Sequence, residues 1–149
     1  MSLLRRILVC VWAAPCSALG LIAGLPAAVL GARIRMRAGA MEIAGGLLGA
    51  ALSRLPPRMC FSAITLGHVI LGVDLDTLDE VREHEQVHVR QYERWGPLFI
   101  PAYLLSSLFQ LVRGRRPYLD NHFEREACAT TGPCGAESAR AFAKGNTSA

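Results

Sequence analysis

The apolar and polar positions divide the chain into segments of different period. Ile7 to Ala32 is a run without one charged residue. A run of about 18 or more such residues is a candidate transmembrane helix. Pro15 and Pro26 lie inside it, and proline is tolerated in membrane helices. A signal peptide cleaved near Ala18-Leu19-Gly20 is the rival reading, because the start is basic and those residues are small. The run continues well past them, which favours a retained anchor over both a signal peptide and a soluble core helix.

Shorter periods follow. Ile34 to Arg37 and Met41 to Ile43 alternate apolar and polar residues around Ala38-Gly39-Ala40, the pattern of a short hairpin. Gly45 to Leu55 is small and apolar and fits either a second strand edge or a loose helix; Pro56-Pro57 ends it. Cys60 to Val73 is rich in Ile, Val, Thr and Phe, and predicts one strand over Ile64 to Leu71 with Gly67 and Gly72 as bends. Asp74 to Asp76 turns into a helix. Thr77 and Glu80 have the spacing of a capping box at its start, and Gly96-Pro97 closes it. Leu78, Val81, Tyr92 and Trp95 mark its inward face. A second apolar run, Leu98 to Val112, contains Pro101 and is short for a membrane span. It suits a buried helix that covers the preceding one, or a helix in the membrane interface. Arg115 to Pro117 reads as a loop. Asp120 or Asn121 caps a short helix ending near Ala129, and the Gly, Thr, Ser and Ala content from Thr130 onward predicts a mobile tail.

Composition narrows the class. With 149 residues there is room for one domain. The chain is 52% hydrophobic and 19% charged, which excludes disorder throughout. A net charge of +4 favours an anionic lipid surface. The arginines are scattered and accompany no recognition motif, so no nucleic-acid partner is expected. Arg5 and Arg6 precede the long apolar run and Arg33, Arg35 and Arg37 follow it, so arginine bias sets orientation poorly. The bulk of the chain is expected to be cytoplasmic. The five cysteines are irregularly spaced and form no CxxC. They read as neither a disulfide framework nor a cysteine zinc site, and point to a reducing compartment. Cys128 and Cys134 are the pair spaced to bridge.

One stretch carries chemistry. His84-Glu85-Gln86-Val87-His88 is an HExxH sequence. Positions four apart on a helix share a face. Two imidazoles so placed can hold one zinc ion, and the intervening glutamate can act on a metal-bound water. Glu85 and His88 fall on the helix's apolar stripe, with His84 at its edge. Three polar side chains turned into apolar surroundings need partners, and a divalent cation supplies them.

Such a site needs a third protein ligand, with a position left for water. Downstream carboxylates are Glu93, Glu124, Glu126 and Glu137. Glu93 sits on the same helix, five residues past His88, and points away from it. Glu137 falls in the tail. Glu124 and Glu126 sit on the short helix after the second apolar run. Asn121 and Glu124 also have nearly the spacing of a capping box, which gives Glu124 a structural alternative.

His84 to His88, followed by Asn121-His-Phe-Glu124-Arg-Glu-Ala127, resembles the gluzincin group of zinc metallopeptidases. There a later helix carries Glu-x-x-Ala or Glu-x-x-Ser, usually followed by Asp, and its glutamate binds zinc. The resemblance covers residues 84–128. It implies His84, His88 and Glu124 as ligands and Glu85 as general base, with Glu126 the alternative ligand. Ile64 to Leu71 and Tyr92 to Pro97 also resemble small bacterial membrane-associated proteins with an HExxH segment, which implies a bacterial inner membrane. The chain departs from the group at Cys128, where the aspartate that orients a zinc histidine is common. Asp120 or a backbone carbonyl is the expected substitute.

Together these readings predict an α+β fold: a zincin-like minidomain over residues 33–129, a membrane anchor over 1–32 and a flexible tail over 130–149. The expected function is zinc-dependent peptide hydrolysis at a membrane, acting on a peptide or protein substrate. A catalytically silent zinc-binding or membrane-associated scaffold or sensor is the alternative, and an interfacial lipid-binding protein a third reading. Tyr118 and His122 flank the ligand helix as candidates to stabilise an oxyanion. His68 is expected to be structural, Gln91 to reach either the site or the core, and Arg90 and Arg94 to lie on a solvated face.

Overall fold

The computed structural model describes residues 3–54 and 62–132. The Pro56-Pro57 break, Glu137 and nearly all of the expected tail lie outside the described residues. The fold is α+β. Helix α1 spans Leu3–Val29, strands β1 and β2 span Arg33–Arg37 and Ala40–Ala44, and α2 spans Gly46–Ser53. Strands β3 and β4 cover Ala63–Leu66 and Val69–Gly72. Helix α3 spans Leu75–Trp95, a 3-10 turn covers Gly96–Leu98, α4 spans Phe99–Val112 and α5 spans His122–Thr131. The strands form one mixed sheet in the order β1-β2-β4-β3. β1 pairs antiparallel with β2, β2 parallel with β4, and β3 antiparallel with β4.

The sheet lies between two helices because its strands alternate. Ala40, Ala44, Ala63 and Ile70 pack with Leu78, Val81 and Val89 of α3. On the opposite face Ile43, Val69 and Leu71 pack with Leu21 of α1. α1 approaches closely because its contact stripe is small: Ala13, Cys16, Gly20, Gly24 and Ala27 are its buried residues. A Cβ at Gly20 would lie 2.6 Å from Val69 Cβ, and one at Gly24 would lie 2.4 Å from Ile43 Cδ1.

α3 is fixed at both ends. Asp74 caps it, accepting from Thr77 N at 2.7 Å and Thr77 Oγ1 at 2.9 Å. The helix therefore starts a turn earlier than a Thr77 cap implies, and such a cap contributes about 1 kcal/mol. Glu42, buried in β2, accepts from Arg82 Nε at 3.0 Å and from Arg35, and Asp79 pairs with the same two arginines. This cluster ties the first half of α3 to the sheet. At the other end Gly96 turns the chain with φ +55, and Trp12 of α1 occupies the space its Cβ would need.

Several expectations change. The run from Ile64 to Leu71 is two strands, not one. Gly67, at φ +62, and His68 form a two-residue hairpin loop between Leu66 and Val69, which suits a turn with glycine at its first central position. Within the small apolar segment before Pro56-Pro57, Gly46–Ser53 takes the helical alternative. Trp95 is 39% exposed, with its ring edge-on to Phe123. α4 is not a buried cover: Phe99 is its one buried residue, while Leu104, Leu105, Leu108, Phe109, Leu111 and Val112 are exposed. α5 runs to Thr131, past the expected start of the tail. Cys10 and Cys16 are free, but Cys128 is disulfide-bonded. This departs from the expected reduced thiols; Cys134, the residue spaced to bridge with it, lies outside the described residues.

Two segments are long and apolar enough to cross a membrane, Leu3–Val29 and Leu75–Val112. The apolar part of the second is α4, since Leu75 to Trp95 is rich in charge. Leu4, Ile7, Leu8, Val11 and Ile22 of α1 are exposed, opposite its small-residue stripe.

Candidate metal centre

α3 and α5 bring three side chains to one point. His84 and His88 project from one face of α3, and their Nε2 atoms lie 3.1 Å apart. Glu124, in the first turn of α5, places Oε2 at 3.3 Å from His84 Nε2 and Oε1 at 3.4 Å from His88 Nε2. Zinc–nitrogen and zinc–oxygen bonds of about 2.0–2.1 Å in tetrahedral array put donors about 3.3 Å apart. The observed separations are of that size, with the two Glu124 contacts ending on different carboxylate oxygens. Glu124 Oε2 is buried and, apart from the His84 ring nitrogen at 3.3 Å, meets no hydrogen-bond donor among the described residues. A buried carboxylate oxygen without a donor is costly, and a cation removes that cost. Two imidazoles and one carboxylate are thus able to hold a divalent metal ion.

α5 is positioned by caps and cross-links. Asn121 caps it, accepting from Phe123 N at 2.9 Å. Its Nδ2 donates to Tyr103 O at 3.0 Å and Ser107 Oγ at 2.7 Å on α4. Ser106 Oγ accepts from His122 N at 3.0 Å. The cap is therefore Asn121 itself, and the Glu124 carboxylate is directed to the histidines.

Outer partners fix each donor. His88 Nδ1 donates to Gln91 Oε1 at 2.8 Å. In the neutral ring this leaves the lone pair on Nε2, which faces the centre. Gln91 Nε2 donates to Phe123 O at 3.0 Å and Glu126 Oε2 at 2.9 Å, and Arg94 Nη1 donates to Glu126 Oε1 at 3.2 Å. Arg94, Glu126, Gln91 and His88 thus form one chain of hydrogen bonds. The orienting role expected of Asp120 or a backbone carbonyl falls to Gln91, while Asp120 accepts from Arg116 N at 2.9 Å. Tyr103 Oη donates to Glu124 Oε1 at 2.7 Å. Glu85, also buried, accepts from Thr65 Oγ1 at 2.6 Å through Oε2. Replacing Gln91 by alanine leaves His88 Nδ1 without its acceptor. Affinity for a divalent metal ion, read by competition with a chromophoric chelator, is expected to fall about 10–100-fold, the usual cost of losing such a partner.

The electrostatics agree. Burial would lower the His88 pKa, but the Glu124 carboxylate, with Glu85 and Gln91, outweighs it and pushes it up to about 9. Burial would raise that of Glu124, but His84 and His88, with the Tyr103 hydroxyl, hold it far below the usual carboxylate range. Without metal the pair is imidazolium and carboxylate at neutral pH.

Of the other expected residues, Tyr118 lines a cavity of about 290 Å3 beside the centre, together with Glu85, His88, Tyr103 and Glu124. His122 is exposed, its ring edge-on to Phe123, and does not line that cavity. Glu126 is an outer support and not one of the converging donors. Glu93 accepts from or pairs with His68 Nε2 at 3.2 Å, and His68 N donates to Ser17 Oγ at 2.9 Å. His68 therefore ties the β3–β4 turn to α1 and α3. Tyr103 and Thr65 were not foreseen. Tyr103 lies four residues past Phe99 in an apolar helix, a weak signal; Thr65 gives no signal in a strand where threonine is common.

No protein-family model, curated protein or solved structure matches the chain.

Proposed function

We propose that this is a zinc-dependent hydrolase of peptide bonds, associated with a membrane and of gluzincin type. The observation that carries the reading is the convergence of His84, His88 and Glu124 with Glu85 beside them in one cavity. When bound, zinc supplies Lewis-acid polarisation of a carbonyl and acidification of water. His84, His88 and Glu124 would hold it. Glu85, oriented by the Thr65 hydroxyl, takes a proton from the attacking water and returns it to the leaving amine. Tyr118 lines the cavity and is the hydroxyl we assign to a developing oxyanion, whereas the Tyr103 hydroxyl is committed to Glu124.

The sheet offers a place for the substrate. Among the described residues β3 is an edge strand, and all four of its residues line the cavity. In a two-residue hairpin Leu66 and Val69 form a hydrogen-bonded pair, and such pairs alternate along the ladder. Val73 N donates to Ser62 O at 3.1 Å, in step with that alternation. The main-chain groups of Ala63 and Thr65 therefore turn to the open edge, where an extended peptide can pair. Thr65 also bonds Glu85, so main-chain pairing and the base share one residue. The outward apolar faces of α1 and α4 supply membrane contact. In the test, purified full-length protein cleaves a quenched fluorogenic peptide in detergent or vesicles. Chelation abolishes cleavage and zinc restores it; cleavage indifferent to chelation refutes the reading.

A further inference from the structure

The cavity wall is mostly apolar, with its ionisable groups at the metal centre and hydroxyls from Thr65, Tyr103 and Tyr118. Glu85, His88 and Glu124 gather at one end, while Phe99, Ile100 and Leu104 form part of the remaining wall. Among the described residues no Lys or Arg lines it, so an acidic side chain or a free carboxyl terminus would meet no counter-charge from them outside the metal centre. Leu104 belongs to the wall, yet 60% of it is exposed. Leu105, Leu108 and Leu111 on the same helix are exposed as well. The cavity therefore opens onto the apolar surface of α4, within a segment long and apolar enough to cross a membrane. Arg113, Arg115 and Arg116 follow the end of α4, where basic groups suit anionic headgroups.

We infer that the site takes its substrate from the lipid side, as an apolar extended segment of a membrane-resident polypeptide entering between α4 and the free edge of β3. The inference rests on the hydrolytic reading above. An extended chain in hydrocarbon carries unsatisfied amide and carbonyl groups, which is costly. The open edge at Ala63 and Thr65 satisfies those groups, and Leu104 and Ile100 contact apolar side chains. A polar soluble peptide gains only the first of these.

The test uses the zinc-loaded full chain in vesicles of phosphatidylcholine and phosphatidylglycerol. One probe is a quenched peptide rich in Leu, Val and Ala that crosses the bilayer. The other is a soluble quenched peptide rich in Ser, Gly and Asn. The bilayer peptide is expected to be cut at least about tenfold faster. Leu104→Glu is expected to lose about tenfold of that rate at unchanged zinc content, the effect of one lost leucine-sized contact. If that variant fails to retain zinc, Leu104→Ala provides the comparison. Equal cutting of the soluble peptide, or an unchanged bilayer rate in the Leu104 variant, overturns lipid-side entry and leaves hydrolysis standing. If neither peptide is cut, energy transfer from Trp95 to a labelled bilayer peptide reads binding to Glu85→Gln. Binding that Leu104→Glu abolishes supports the entry route although hydrolysis fails; absence of binding overturns both.

Discussion

Glu124→Ala is expected to abolish stoichiometric zinc while leaving the fold in place. Glu124 brings one of three donors and the negative charge of the ligand set, and it comes from a different helix than the histidines. Two imidazoles on one helix face remain, with no second element to close the site. The loss in affinity should exceed the roughly 10–100-fold that follows removal of an outer partner, so Glu124→Ala should fall below Gln91→Ala in a chelator competition. The same variant reports on the metal-free state. His88 has a folded pKa of about 9 against 6.5. Its stabilising contribution is fully present below 6.5 and is lost as pH rises through 9. Glu124, whose pKa is depressed, contributes above its ordinary value and loses that contribution in acid. The pair therefore stabilises metal-free wild type most between about pH 4.5 and 6.5, by roughly 3 kcal/mol for the His88 shift, and the His88 part fades as pH rises towards 9. Glu124→Ala should flatten this dependence of melting on pH in chelator. Zinc content equal to wild type in Glu124→Ala would mean that the three side chains do not form the site.

What the sequence made legible follows the range of the interaction concerned. The HExxH pattern fixes its own geometry, because residues four apart on a helix must share a face, and Asn121 and Glu124 locate the start of α5. The β1–β2 hairpin was legible from Ala38-Gly39 between alternating segments, and both residues take positive φ there. The β3–β4 hairpin was not, since its loop is Gly67-His68 in an apolar run, and histidine is no turn marker. The parallel pairing of β2 with β4 joins strands separated by α2 and β3, and no local period encodes it. The same holds for the supports of the centre. Gln91 could be placed one turn beyond His88, but its bond to Glu126 depends on how α5 docks. Tyr103 and Thr65 reach Glu124 and Glu85 only through the packing of α4 and the sheet edge. The length and composition of α4 suit either a buried cover or an interfacial helix; its exposure reflects how little of the described chain lies over it.

Glu85→Gln is expected to keep zinc and lose hydrolysis, which separates chemistry from metal binding. Glu85 is buried at the cavity beside His88 and Glu124, but it is not one of the three converging donors. The amide is nearly the same size and can still meet the Thr65 hydroxyl through its oxygen, so packing and metal affinity should change little. What it cannot do is accept a proton at neutral pH. Losing a positioned general base costs about 10²–10⁴ in rate, and kcat should fall by that factor while KM for the quenched peptide stays within a few-fold. A metal-holding scaffold would show the reverse pattern: zinc content, vesicle binding and melting equal in wild type and variant, and no rate to lose. The Thr65→Val variant places the argument further along the same line. It removes the hydroxyl that orients Glu85 yet preserves shape, so an intermediate fall in kcat is expected from a base that is still present but less firmly held. If Glu85→Gln retains the wild-type rate at full zinc occupancy, Glu85 is not the base and the proton must leave by another group in the cavity.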